Sequence, residues 1–486
     1  MLSAAIFVPL AAAAVLLVAK PLDERATRLL ALAVSAVPLV LMVVAWVAFD
    51  GRGGFELVES VPWIPSIGVG YKVGVDGVSL PLAAMTALLF SVSIAYPVDL
   101  RGRARQYFAA MLFLEGISLG VFLALDLFLF YVFFDLSLVG MYFLIAVWGH
   151  GDAQRSALKF FLYTLAGSLA MLLAILGLYL ASEPRTFDMA ELIRQQPLTG
   201  GGLRAGLVFL GFVVGLGVKT PIVPFHTWLP PAHVDAPAPA STILAGVLLK
   251  MGTYGFVRIL LSMMPDTFAR FAVPVAIVGV VSIVYGALVA LAQTNLKRLV
   301  AYSSVNHMGY VILGVAAAAG GMGGDTDAAA LALDGATLEM VAHGLITGAL
   351  FLLAGSVWDR AETYEVGELG GLAGRAPLMT GGVVVAAFAS LGLPGLAGFV
   401  AEFHVFAGTF AIYPVLAGIA LVGLVITAAL FLRMVQRAFL GPLPDRWAAW
   451  PDLSATEVAA LVPVLALVVL IGVAPAWVLD VIDATA

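Results

Sequence analysis

Five ionisable side chains, Glu115, Asp135, Lys219, Lys250 and Glu402, stand inside apolar runs long enough to cross a bilayer, with His226, His307 and His343 among them. Asp135 lies in FLFYVFFDLSLVGMYFL, Lys250 in STILAGVLLKMGTYGF and His343 in MVAHGLITGALFLL. An ionisable group at the centre of a span costs about 2.5–3.5 kcal/mol to insert, so several in one chain require a use. A single opposite pair can be a structural staple between helices, and for one pair alone that reading stands level with a functional one. Lysines and carboxylates that alternate through successive spans, with histidines between them, exceed what a staple needs. They fit groups that pass a proton, and the proton affinity of Lys219 then depends on how close Asp135 stands.

The six histidines invite a metal reading, but those at membrane depth fall on different spans without ligand-pair spacing and with no cysteine beside them. The expected roles are proton relay for His226, His307 and His343 and no metal. His150 and His233 read as loop residues, and His404 takes no role from its spacing. The aromatic run at 128–134 reads as packing, not as a cofactor box.

These groups need a scaffold, and the composition says which kind. With 486 residues, 62% hydrophobic and 11% charged, the chain has too much apolar surface for one aqueous core and reads as an all-α polytopic membrane protein. At about 20 residues per crossing the length gives about fourteen helices and no sizeable soluble domain. The absence of cysteine excludes disulfides, thiolate zinc and cysteine-held iron–sulfur clusters. A formal charge of -6 without a basic run gives no reason to expect nucleic acid. The opening run MLSAAIFVPLAAAAVLLVAK lacks a positive segment before its apolar stretch and reads as a retained first span.

Apolar windows predict spans at 2–19, 28–49, 76–97, 107–124, 127–148, 156–181, 203–233, 239–262, 271–291, 297–318, 337–358, 379–412, 414–439 and 456–479. The even count puts both termini on one side. Loops after odd-numbered spans carry more basic residues (Lys20, Arg25, Arg28, Arg101, Arg103, Arg105, Arg155, Lys159, Lys297, Arg298, Arg360, Arg375, Arg437, Arg446) than the others, which places both termini outside. SEPRTFDMAELIRQQPLTGGG and AAAAGGMGGDTDAAA read as outer loops. Spans seven and twelve are long and interrupted: Lys219 precedes Pro221 and Pro224 in one, and LGLPGLAGFVAEF sets Pro394 and paired glycines before Glu402 in the other. Two broken helices five spans apart are the pattern of an internal repeat whose unwound backbone lines a polar path.

Seven segments carry a resemblance: GVDGVSLPL (74–82), LALDLFLFYVFFDLSLVGMYFLIAVWG (123–149), ALKFFLYTLAGSLAML (157–172), VKTPIVPFHTWLPPAH (218–233), APASTILAGVLLKMGTYGF (238–256), NLKRLVAYSSVNHMGY (295–310) and VAHGLITGALFLLAG (341–355). Together they resemble the antiporter-like membrane subunits of respiratory complex I, the NADH-quinone oxidoreductase. The wording PFHTWLP and LLKMGTYG, and Glu402 where other members present lysine, are most similar to the M-type members. The resemblance implies helices 1–3 over 1–98, two inverted five-helix units over 99–263 and 264–440, and a last helix over 441–486. It implies proton transfer through Asp135, Lys219, Lys250 and Glu402, with His226, His307, His343 and Glu115 as relay or support. It also implies no cofactor on this chain, with NADH, FMN, iron–sulfur clusters and quinone on partner subunits. The implied neighbours are L- and N-type and small membrane subunits with lipids, in a bacterial inner membrane. Two positions depart from the pattern, Asp135 where glutamate is usual and Gly140 where proline is usual. The shorter side chain reaches less far toward Lys219, and glycine leaves room for a compensating shift of the helix. Relatives of other function, a multisubunit cation/proton antiporter or the membrane arm of a hydrogenase or non-NADH oxidoreductase, share much of this pattern.

Overall fold

A computed structural model describes residues 1–18, 20 and 22–485; Ala19, the end of the first predicted span, lies outside the described residues. Helices α1 (Leu2–Val18) and α2 (Glu24–Ala48) lead into an antiparallel hairpin, β1 (Glu56–Ile64) with β2 (Val69–Val75), and then α3 (Ser79–Ala95). A first set follows: α4 (Ala104–Leu123), α5 (Leu127–Trp148), α6 (Ala153–Tyr179), a short α7 (Met189–Gln195) and a helix broken into α8 (Leu203–Lys219) and α9 (Leu229–Asp235). Its last member is a rod of α10 (Ala238–Ile243) and α11 (Leu249–Gly255), joined through a π turn at Leu244–Leu248 and extended by another at Phe256–Leu261. The second set is α12 (Pro265–Leu291), α13 (Leu296–Gly321), α14 (Thr326–Ala361), a helix broken into α15 (Pro377–Ser390) and α16 (Ala397–Ile412), and α17 (Pro414–Ala438); α18 (Ala455–Val473) and α19 (Ala476–Asp483) complete the chain. The broken helix holds the fourth place in each set of five, as expected of two inverted repeats.

Among the described residues ten helices are long and apolar enough to cross a membrane, and four shorter apolar helices occupy predicted spans. Burial sorts them. The most apolar windows of the α10–α11 rod, α13 and α14 are 100%, 94% and 100% buried, against 28% for α2 and 33% for α17 and α18. The first three are closed off all round, the condition in which a helix sits at the centre of a bundle, and they carry Lys250, His307 and His343. Glycines bring the first of these rods against α8: a Cβ on Gly252 would stand 2.3 Å from Thr220 Oγ1, and one on Gly255 2.3 Å from Leu216 Cδ2. The α11 backbone thus lies directly on the end of α8, next to Lys219.

The two breaks are built differently. Pro221 and Pro224 cannot donate to a helix, so α8 stops at Lys219. The exposed backbone groups then find other partners: Val223 N donates to Ser282 Oγ at 3.0 Å, the Trp228 indole to Val218 O at 2.9 Å, and Lys159 Nζ to Thr227 O at 2.7 Å. Each bond satisfies a group that lipid could not. At the second break Gly392 (φ 76°) and Gly395 (φ 92°) supply the left-handed backbone of a tight turn.

Four expectations need correction. Residues 56–75, between the second and third predicted spans of a chain expected to be all-α, form the hairpin, whose alternating ELVESV and VGYKVGV suit paired strands. The predicted outer loop at 316–330 is helix except at 322–325: α13 runs to Gly321, α14 begins at Thr326 rather than at 337, and the alanines that hid the boundary are strong helix formers. Lys297, counted among solvated loop residues, is fully buried in the first turn of α13, donating to the carbonyls of Ala236 and Val234. His233 is helical and fully buried, stacked on Phe351 at 4.4 Å. Both chain ends lie at the hairpin end: the Met1 amine meets Glu59, and the Gly77 amide donates to Thr485 Oγ1 at 2.8 Å.

Candidate functional site

Lys250 occupies the middle of the rod between the two π turns, with no exposed surface. Its Nζ lies 2.6 Å from His343 Nδ1 and donates to Ala245 O at 2.6 Å. The second contact binds the lysine to the π turn itself, a local winding that recurs at functional sites. On α14, Thr347 Oγ1 stands 3.2 Å from His343 Nδ1. The His343 ring faces that of His307 at 5.3 Å between centroids. His307 on α13 bonds at both nitrogens, Nδ1 to Glu339 Oε1 at 3.0 Å and Nε2 to Ser390 Oγ at 2.9 Å.

Glu402 completes the line. It is buried, its Oε1 is 3.8 Å from His307 Nδ1, and neither carboxyl oxygen receives a hydrogen bond from the described residues. That distance is too long for a direct bond and right for an ionic contact or a bridging water. Gly392 makes the room, since a Cβ there would sit 2.3 Å from Glu402 Oε2. Lys250, His343, His307, Glu339 and Glu402 therefore form one buried run across three helices and the second break. A proton can move along such a run by short hops, each site differing in charge and hydrogen-bond supply from the next.

The first half is sparser. Lys219, the last residue of α8, donates to Ser137 Oγ at 2.8 Å and lies over the Phe134 ring at 4.9 Å. Among the described residues Asp135 forms no ion pair with Lys219; it is half-buried, and its one hydrogen bond is a long one from Tyr131 OH at 3.4 Å. Lys219 is held instead by Ser137, two residues beyond Asp135 and about 200° round α5 from it. Gly140 does allow close packing, because a Cβ there would be 2.6 Å from Leu114 Cγ. Glu115 points elsewhere, accepting from Ser35 Oγ on α2 at 2.8 Å. His226, in the first break, packs edge-on to Tyr285 at 5.1 Å, and no hydrogen bond among the described residues joins it to Lys219 or Lys250.

Glu339 was missed by sequence reading although its signal was present: it precedes His343 by four residues, which sets both on one face of α14. Ser137 and Ser390 carried no such signal, since serines are common in membrane helices. A second omission is Arg258, paired with Asp76 deep in the protein and held by Tyr254 OH at 3.0 Å from its Nε. This pair closes on itself, joining the rod to the turn before α3 as a structural staple does.

Comparison with known proteins fits this geometry. A family profile described as NADH:quinone oxidoreductase/Mrp antiporter, TM, matches residues 124–427. NADH-quinone oxidoreductase subunit M of Rhodobacter capsulatus is 39% identical over 499 residues, covering 99% of this chain and 94% of that protein. F(420)H(2) dehydrogenase subunit M of Methanosarcina mazei is 39% identical, covering 92% and 89%. Among solved structures, a chain of respiratory complex I from Thermus thermophilus with bound NADH superposes with a TM-score of 0.88 at 31% identity, covering 100% of this chain and 98% of that one. The sequence match over nearly the whole length, the shared fold and the two broken helices lead to one conclusion: the chain belongs to the antiporter-like membrane subunit family of the NADH:quinone oxidoreductases and Mrp antiporters.

Proposed function

We propose that this chain is the M-type, proton-translocating membrane-arm subunit of a quinone oxidoreductase, driven by redox chemistry in partner subunits. The observation that supports it most is the buried run from Lys250 through His343 and His307 to Glu339 and Glu402. Lys219 is the proton site of the first half, with Ser137 as its immediate partner and Asp135 as a more distant acid. Lys250 receives the proton at the centre, His343 and His307 carry it on, and Glu402 releases it or passes charge to the next subunit. His226 and Glu115 support the path from outside it. Electrons do not enter this subunit; NADH, FMN, iron–sulfur clusters and quinone belong to its partners, which include L- and N-type neighbours.

In this reading the chain crosses a bacterial inner membrane fourteen times, with both termini on the periplasmic face, and its units divide near residues 99, 264 and 441. The test is Lys250→Met in the assembled complex. Quinone reduction and vesicle acidification are measured together, and the expected result is a loss of at least about tenfold in protons moved per quinone reduced. Unchanged stoichiometry in a fully assembled complex overturns the reading.

The likeness to an F(420)H(2) dehydrogenase subunit at the same 39% identity favours a second reading, in which the electron donor is not NADH. The peripheral subunits that co-purify decide between them: a flavin subunit with an NADH site supports the first, and its replacement by a different donor-binding subunit supports the second.

A further inference from the structure

A long groove of about 790 Å³ runs between α1, α4 and α5, away from the ionisable run. Phe7, Ile117 and Phe133 line its deep end, and Leu17, Arg103, Gln106 and Trp148 its other end. Between Arg103 and Ile117 it follows α4 for about 21 Å, at 1.5 Å per residue. One leaflet of hydrocarbon is about 15 Å deep, half of a core of about 30 Å. The groove thus begins at headgroup depth and extends past the length of one leaflet.

Its two ends differ in chemistry. The deep end is wholly apolar. At the shallow end Arg101, Arg103 and Arg105 stand in five residues of sequence. Arg101 donates to the carbonyls of Val147 and Gly149 at 3.1 and 2.8 Å, and Arg105 donates to Leu17 O at 2.9 Å, so both hold the rim. Arg103 is exposed, lines the groove, and has no ion pair or side-chain hydrogen bond among the described residues. Trp148 donates to Leu100 O at 3.2 Å, which fixes an amphipathic ring at the depth where such rings border the headgroups. By contrast, the apolar groove of about 350 Å³ beside Trp46 and Trp477 has no basic residue in its lining.

We infer that this groove holds an anionic phospholipid, one acyl chain lying along α4 and α5 and the phosphate on Arg103 and Gln106. A leaflet-deep apolar trough ending in an unpaired guanidinium is complementary to that molecule at both ends, and clusters of basic residues at this depth attract anionic headgroups. Gly140 contributes to the floor, because without a Cβ it lets α5 close on α4 under the chain.

The test places a photoreactive benzoylphenylalanine at Ala14, and separately at Ala110, in the full chain within its complex. The complex is reconstituted with dioleoyl phosphatidylglycerol or with dioleoyl phosphatidylcholine. The expected result is an adduct of lipid mass, at least fivefold more abundant with phosphatidylglycerol, and reduced to the phosphatidylcholine level by Arg103→Gln. Equal adducts from the two lipids, insensitivity to Arg103→Gln, or cross-links to a neighbouring protein from both positions would each overturn the inference. Full competition by inorganic phosphate would do so too, because the site would then be one for a free anion.

Discussion

The two halves of the molecule use one device, a broken helix beside a charged residue, and build it in opposite ways. In the first half the break is made by prolines, and the charge sits at the end of the segment before it, where the carbonyl end of α8 favours a cation. In the second half it is made by glycines, and the charge sits in the segment after it, with Gly392 giving up its side chain to Glu402. Lys219 has one hydroxyl and an aromatic face for company, whereas Glu402 has a histidine that also bonds Glu339 and Ser390. The difference separates two tasks. In the function proposed above, Lys219, a lone cation with a neutral partner, is the group switched by events outside it, and the cluster around His307 is the path that carries the proton on.

The largest expected effect tests the conducting half. Glu339→Gln removes the acid on His307 Nδ1 while keeping its shape, and protons moved per quinone reduced should fall about a hundredfold. If translocation survives, Glu339 is a structural partner and the halves are more alike than described. Next, Ser137→Ala leaves the Lys219 ammonium without its close partner, at a cost of about 2 kcal/mol and so about tenfold or more in the proton equilibrium there. Asp135→Asn should cost about twofold; an order-of-magnitude loss from Asp135→Asn with little from Ser137→Ala would restore the ion-pair picture. Both are measured as pumping against electron flow in the same vesicles.

A smaller effect probes the glycine turn. Gly392→Ala adds a Cβ in left-handed backbone and against Glu402, and should lower stability by roughly 1–2 kcal/mol, seen as an earlier thermal transition, while Gly381→Ala, in open space, should not. The smallest concerns the seam between halves, where the loop residue His150 stacks on Trp358 of α14 at 4.4 Å. Burial, with Lys297 and Arg101 nearby, pushes His150 down from 6.5 to about 4. Its contribution is complete above pH about 6.5 and is lost as pH falls through about 4, since the unfolded chain takes up the proton first. Thermal unfolding at pH 7.5 and pH 5 should differ less in His150→Phe than in the native chain, and an equal difference would remove His150 from the seam's acid response.

Much of this was legible in the sequence. Apolar windows locate the helices because lipid allows few other structures, and both breaks announce themselves by proline and glycine. Lys219, Lys250, His307, His343 and Glu402 stood out because charge in an apolar run is costly. Contacts were less legible. Whether Lys219 meets Asp135 or Ser137 turns on one methylene and on the rotation of α5, which no spacing rule fixes. The hairpin and the buried Lys297 were hidden for another reason: short polar stretches between spans read alike whether they are loop, strand or a capped helix start.

The π turns around Lys250 bear on how relatives are compared. Each turn of that kind amounts to one residue inserted into a helix, and a residue is worth about 100° of rotation. A one-residue gap in an alignment at Leu244–Leu248 is therefore not neutral drift: it swings every side chain beyond it, Lys250 included, by more than a quarter turn away from His343. In this stretch, the length of the chain carries as much functional information as the identity of its residues.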